Sequence, residues 1–223
     1  LENAVILFDY FKGTLPEFPA GKPLFIFASH FHADHYAPVI FQLGEKRENV
    51  FYILSKEIGK KIPEEYRKRY KDRIRLVKAG ERFCLNISEE SLIVETFHST
   101  DEGVAFWLSC EGKEIYHAGD LNNWWWEGED MAWNRNMAAS YKQEMKKLSG
   151  RTADLAFIPV DPRQEQWFYL GAAGFMEQAD AKWIFPMHFW EDYTIIPKLI
   201  EHPSSEGWRD RIVEIHKEGE EFI

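Results

Sequence analysis

The sequence predicts a single α/β domain, and three features point to it. Short apolar runs of strand length recur along the 223 residues, among them Ala4-Val5-Ile6-Leu7-Phe8, Pro23-Leu24-Phe25-Ile26-Phe27-Ala28 and Leu155-Ala156-Phe157-Ile158. Segments of helical composition lie between many of them. Several of the runs stop at a histidine or an aspartate, so polar chemistry collects at strand ends. With 45% hydrophobic residues, a chain of this length can bury one full core and needs no second domain.

The densest of these stops is Ser29-His30-Phe31-His32-Ala33-Asp34-His35-Tyr36, directly after the run that ends at Ala28. While the chain is extended, alternation aims His30 and His32 the same way, and Asp34 and His35 then turn toward a second point a few ångströms off. A lone histidine is more often a core or surface residue than a ligand. Four imidazole and carboxylate groups on one turn are a metal-site pattern, and their spacing suits two ions rather than one.

The pattern His30-X-His32-X-Asp34-His35 resembles the signature of the metallo-β-lactamase superfamily, whose members carry three further ligands downstream: a His, an Asp after a strand, and a last His. Matching positions are His98 in Thr96-Phe97-His98-Ser99, Asp120 in Ala118-Gly119-Asp120 and His188 in Pro186-Met187-His188. The resemblance spans almost the whole chain. It implies one four-layered αβ/βα sandwich over residues 1–223, with His30, His32 and His98 on one ion and Asp34, His35 and His188 on the other. Asp120 would bridge the two ions, and Asp34 and Asp120 would be the catalytic carboxylates.

Two divalent ions are thus implied. Zinc is the default for a His-rich set, and manganese, iron or nickel also suit mixed imidazole and carboxylate. Such a centre generates a hydroxide near neutral pH and polarises the oxygen of a carbonyl or phosphoryl group. No Gly-X-Ser-X-Gly elbow or phosphate-binding glycine loop suggests another nucleophile. The chain is similar to compact cytoplasmic members related to sugar-lactone hydrolases and phosphodiesterases. The implied function is hydrolysis of a small anionic phosphoester or an ester or lactone-type substrate. The alternatives are an RNA-processing nuclease of the same fold and a di-iron redox protein.

In chain order, Asp9 closes the first apolar run. Superfamily members usually place an acid there behind the metal site, so it is a candidate to hold a ligand histidine in one tautomer. The chain opens where the family usually already has one or two strands, so an upstream hairpin of ~15–25 residues or an open sheet edge is expected. A helix is predicted over 36–44, a strand over 50–54, and a helical segment over 55–71 broken at Pro63. The alternations at Ile74-Leu76, Phe83-Leu85 and Leu92-Val94 predict a run of antiparallel strands leading to His98. A hairpin around Glu111-Gly112 then delivers Asp120. His117, three positions earlier, falls on the opposite strand face and is a candidate outer residue rather than a ligand.

Leu121-Asn122-Asn123-Trp124-Trp125-Trp126 follows Asp120 at once. Trp124, Trp125 and Trp126 either wall a pocket mouth or pack the next helix, predicted over 131–148, onto the body. Asn134, Arg135 and Asn136 near the start of that helix are weaker candidates for substrate contact. Asp161 and Arg163 end a buried run and are candidate substrate or outer-site residues, or an ordinary ion pair at a turn. A helix over 171–181, a strand over 182–188, a helix over 195–202 and a closing strand over 212–215 complete the prediction. His202 and His216 lie outside every motif and are expected at the surface.

A formal charge of −10 argues against broad contact with nucleic acid or an anionic membrane, so the expected partner is a small anionic molecule. No apolar run approaches the ~20 residues of a membrane span. Cys84 and Cys110 lie in strand-like runs away from any ligand motif and are expected to be reduced core residues. With no signal-peptide pattern at the start of the sequence, this leads to an expected cytoplasmic location. Oligomeric state is not legible.

Overall fold

The structure, a computed structural model, describes residues 1–87 and 90–222. It divides into two compact units: Leu1–His98 with Glu102–Gly112, and Ser99–Asp101 with Lys113–Ile223.

The first unit contains a parallel sheet in the order β1 (Val5–Phe8), β2 (Leu24–Ala28), β3 (Val50–Ser55), β4 (Ile74–Val77). All five residues of β2 are buried, as a central parallel strand covered on both faces requires. Leu24, Ile26 and Ala28 join Tyr52, Leu54, Ile40 and Phe41 in one apolar cluster. Phe27 faces the other way and meets Phe106 edge-on at 5.1 Å. Phe106 belongs to β7 (Val104–Cys110), which pairs antiparallel with β6 (Glu90–His98), itself antiparallel to β5 (Arg82–Ile87).

Three predictions for this unit are corrected. Helix α1 spans only Ile40–Glu45 instead of starting at 36, because Pro38 disfavours helical geometry at Ala37 and the preceding residues make the ligand turn. β4 is a parallel neighbour of β3, not the first of an antiparallel run. A 3-10 turn at Lys56–Lys60 and helix α2 (Glu64–Arg69) make the connection long enough to bring the chain back in the same direction. Cys84 is exposed on β5, where alternation turns Phe83 and Leu85 inward, whereas Cys110 is buried; both are free thiols.

The second unit contains the parallel strands β8 (Lys113–His117), β9 (Thr152–Pro159) and β10 (Asp180–Met187), in that order. Helices α3 (Met131–Lys146), α4 (Leu170–Gln178) and α5 (Ile195–Glu201) belong to it. Tyr116 of β8 stacks on Phe175 of α4 at 4.8 Å, and the Tyr141 hydroxyl of α3 donates to the Gly171 carbonyl at 2.6 Å. The predicted strand over 212–215 reduces to one parallel bridge between Ile212 and Ile184, because the 3-10 turn Arg209–Arg211 delivers only that residue to the β10 edge. Among the described residues no helix is long and apolar enough to cross a membrane.

Candidate metal centre

In the first unit the ligand turn begins where β2 stops. His35 and Tyr36 both donate their backbone N–H to the His32 carbonyl, which tightens residues 32–36 into a turn and packs four ligand-type side chains closely. The nearest ring nitrogens of His30 and His32 are 2.9 Å apart. His35 is buried between two carboxylates: Asp9 Oδ2 lies 2.7 Å from its Nδ1, and Asp34 Oδ2 lies 3.5 Å from its Nε2. Asp9 also accepts from the backbone N–H and the hydroxyl of Ser29, each at 2.7 Å. It adopts the left-handed backbone region (φ 45°) just past β1, a conformation that Asp tolerates better than most residues.

Gly103 backs this turn. It has φ +72°, and a Cβ there would stand 2.0 Å from the Ser29 carbonyl oxygen and 2.6 Å from His30 Cβ.

In the second unit the groups come from the ends of three strands. Asp120 follows β8, Asp161 follows β9 and His188 follows β10. His188 Nδ1 is 2.9 Å from Asp161 Oδ2, and its Nε2 is 3.5 Å from Asp120 Oδ1. Burial pushes the Asp161 carboxyl up, but hydrogen bonds from His188 and Arg163 outweigh it and leave the group at about 2, below its ordinary 3.8. Arg163 binds Asp161 through its backbone N–H at 2.8 Å, its Nε at 3.0 Å and its Nη2 at 2.5 Å. Trp190 Nε1 reaches the same carboxylate at 3.3 Å.

The tryptophan loop splits by ring. Trp124 is buried, donates its Nε1 to the Asp120 carbonyl at 2.9 Å, and meets His188 edge-on at 5.3 Å. Trp126 stacks on Trp124 at 5.6 Å with only 6° between the planes, while Trp125 packs against Trp167 at 5.4 Å. The loop backbone is pinned from two sides. Asn134 accepts from the Trp126 N–H and donates to the Trp126 carbonyl; Gln164 donates to the carbonyls of Asn123 and Trp125 and accepts from the Asn122 amide. Asn134 is therefore a clamp on the loop. Asn134 and Gln164 are both buried, as that role requires.

Of the remaining sequence candidates, His98 ends β6 with an exposed side chain and lies outside the groups of ligand atoms close enough to share an ion. His117 is buried, and its Nδ1 accepts from the Gly119 N–H at 3.1 Å. Sequence reasoning missed Asp101, which offers a ligand atom within 4.8 Å of one from Asp120. Its position three residues after His98, in the same polar turn, was the available signal. It also missed Trp190, two residues beyond the last ligand.

A divalent cation suits this chemistry. An imidazole whose Nδ1 is held by a carboxylate presents Nε2 in a fixed tautomer, the usual outer arrangement of a metal-ligating histidine. Two donors each 2.0–2.2 Å from a tetrahedral ion stand roughly 3.3–3.5 Å apart. The 3.5 Å pairs His35–Asp34 and His188–Asp120 have that spacing.

No protein-family model matches the sequence, and no curated protein matches it. Solved structures do. CmlA, a diiron β-hydroxylase from Streptomyces venezuelae, aligns with 12% identity and a TM-score of 0.54 over 89% of this chain and 44% of that one, so the chain spans less than half of CmlA. Zn2+-bound PqqB from Methylobacterium extorquens aligns with 11% identity and a TM-score of 0.45, over 79% of this chain and 66% of that one. The metallo-β-lactamase fold protein YhfI from Bacillus subtilis aligns with 10% identity and a TM-score of 0.41, over 76% and 66%. The likeness to CmlA speaks for fold and leaves activity open. With parallel strands that end in turns rich in histidine and aspartate in both units, the chain shares an α/β fold with CmlA.

Proposed function

We propose that this protein is a metal-dependent hydrolase that acts on a small anionic phosphoester or an ester or lactone-type substrate. His30, His32, Asp34 and His35 of the first unit and Asp120 and His188 of the second would hold divalent ions, zinc by default, without the exposed His98. The observation that carries the reading is the repeated Asp–His–Asp arrangement, Asp9–His35–Asp34 in one unit and Asp161–His188–Asp120 in the other. A histidine that served only packing would not need a buried carboxylate on its Nδ1 and a second carboxylate at ligand spacing from its Nε2.

When bound, the ions would supply Lewis acidity and acidify a water near neutral pH. The chain's own part is positioning. Asp9 and Asp161 fix the tautomers of His35 and His188, Trp124 covers one side of His188, and Asp34 and Asp120 supply negative charge that partly offsets the cations. With a net charge of −10, a nucleic-acid substrate is disfavoured, and a small molecule that reaches the cationic centre directly is the better fit.

A di-iron oxidative role is the second reading. The fold likeness to a diiron hydroxylase keeps it open, and Asp101 beside Asp120 makes the second unit richer in carboxylate than the sequence pattern implied. Metal analysis of the purified protein, then chelation, reloading with zinc, manganese or iron, and assay on phosphodiester, phosphonate, lactone and thioester panels tests both. Hydrolysis of one panel that disappears on chelation and returns with metal is the expected result. A metal-replete protein inactive on every panel, whose iron form consumes dioxygen when reduced, would overturn the hydrolase reading in favour of the second.

A further inference from the structure

We infer that Trp190 is a positioning residue for His188: a strained turn carries its indole back onto the histidine and its carboxylate partner, and holds the imidazole in one orientation. Calling His188 a metal ligand rests on the hydrolase reading above; the positioning itself does not.

The turn lies between β10 and α5 in the second unit. Asp192 donates its N–H to the Phe189 carbonyl at 2.8 Å, closing a four-residue turn whose central residues are Trp190 at φ 53° and Glu191 at φ 63°. Positive φ at both central positions marks the mirror image of the common type I turn, where Gly, Asn and Asp are the usual occupants because they tolerate left-handed geometry. His188, at φ 62°, is left-handed as well. Among the described residues six that are not glycine have positive φ, and three of the six fall within residues 188–191. His tolerates this region better than most residues. Trp and Glu do not, and the left-handed backbone disfavours each of them roughly five- to thirty-fold. Local preference and observed backbone disagree here, and such a disagreement persists only where the surroundings over-determine it.

The contacts of the indole supply that determination. Its Nε1 donates to Asp161 Oδ2 at 3.3 Å, the same oxygen that lies 2.9 Å from His188 Nδ1. Its ring meets the His188 ring edge-on at 5.2 Å, and the Arg163 guanidinium carbon lies 4.5 Å from its centre. Burial of apolar surface does not account for the arrangement, because Trp190 is 51% exposed while the backbone beneath it is strained. A turn built from Asn and Gly would be unstrained at these positions but would bring no ring to His188. The shared carboxylate and the ring contact together restrict rotation of an imidazole that a single hydrogen bond would leave less constrained.

The test compares wild type with Trp190→Phe, Trp190→Ala, Trp190→Gly and His188→Ala by three measurements: melting temperature without metal, NMR of the His188 ring nitrogens without metal, and zinc titration. Trp190→Gly should melt above Trp190→Ala, the reverse of the usual order of these two residues, because only glycine is unstrained at φ 53°. In wild type the ring nitrogens should report one fixed tautomer with Nδ1 on Asp161. Trp190→Ala and Trp190→Gly should both show averaged tautomers and bind zinc about ten-fold more weakly, with Gly no better than Ala despite its higher melting temperature. Trp190→Phe, which keeps a ring and loses the N–H, should fall between them and wild type. A His188 tautomer as fixed in Trp190→Gly as in wild type, or order at His188 that simply follows melting temperature across the series, would overturn the inference. If Trp190→Ala does not fold, Trp190→Gly and Trp190→Phe carry the comparison. Zinc affinity unchanged in His188→Ala would remove His188 from the metal centre and so count against the hydrolase reading, while the metal-free tautomers still decide the role of Trp190.

Discussion

His35 in the first unit stands between Asp9 at 2.7 Å and Asp34 at 3.5 Å, and His188 in the second stands between Asp161 at 2.9 Å and Asp120 at 3.5 Å. In both cases the outer aspartate sits just past one parallel strand, and the histidine follows the strand beside it. The means differ. In the first unit the inner carboxylate and the histidine are consecutive residues of a single turn, and the outer carboxylate is held by Ser29. In the second unit each group comes from a separate strand end, and the outer carboxylate is balanced by a half-exposed arginine among indoles. The first arrangement serves to hold a ligand. The second adds a cation and aromatic surface beside its histidine.

The largest effect that separates the two should come from their glycines. Gly103→Ala would place a Cβ 2.0 Å from the Ser29 carbonyl oxygen at φ +72°, so backbone under the ligand turn must move. Left-handed strain plus overpacking should cost on the order of 3 kcal/mol in urea melts and lower metal affinity as well. Gly171→Ala would place its Cβ 1.8 Å from Asn122 Oδ1, a side-chain atom, and should cost less, about 1–3 kcal/mol, by displacing the tryptophan loop and not the ligand turn. Equal losses of metal affinity in the two variants would break the proposed division of labour.

Asp9→Asn and Asp161→Asn come next. Each should weaken metal binding about 10–100-fold, as loss of an outer partner of a ligand histidine usually does. Only Asp161→Asn should also loosen Arg163 and Trp190, which share that carboxylate. Titration of metal into each variant checks the first half of the comparison, and thermal melts of the metal-free variants check the second.

The same contrast explains what the sequence revealed. The first cluster of candidate donors was legible because a strand end and four donors fit into 12 consecutive residues, Leu24 to His35, where local alternation decides direction. Asp161 and Arg163 could be named as candidates from the run before them, but their partner His188 is 27 residues from Asp161, and no local period encodes that pairing. Trp190 gave no signal because φ 53° at that position follows from the turn after β10, not from its own preference. β4 was misread because a four-residue alternation is the same in parallel and antiparallel strands; the crossover through α2 decides between them. His98 matched the signature by order alone, and order does not fix exposure.

A smaller effect should appear in acid. Asp161 titrates at about 2 in the folded protein against an ordinary 3.8. A lowered value means that its contribution to stability is complete above about pH 4 and is lost as pH falls through about 2. The shift corresponds to at most about 2 kcal/mol, less what solvent screens at the half-exposed Arg163. Metal-free wild type should therefore lose about that much more stability than Asp161→Asn between pH 4 and pH 2. Parallel acid curves would mean that the bonds of Asp161 to His188 and Arg163 stabilise nothing in this range.

The smallest effect should come from the cap of α3. Asp130 accepts from the backbone N–H groups of Ala132 and Trp133, and removing such a cap usually costs about 1 kcal/mol. Four residues on, Asn134 is buried and holds both polar backbone groups of Trp126, so Asn134→Ala strands a buried N–H and carbonyl and should cost about 1–3 kcal/mol. The two variants thus weaken the same end of one helix by different routes. Because Trp126 stacks on Trp124, which meets His188, Asn134→Ala should weaken metal binding and Asp130→Ala should not, although both lower the melting temperature. If the losses of metal affinity instead track the losses of stability, the loop responds to the helix as a whole, and the stacked pair Trp124 and Trp126 does not position His188 by itself.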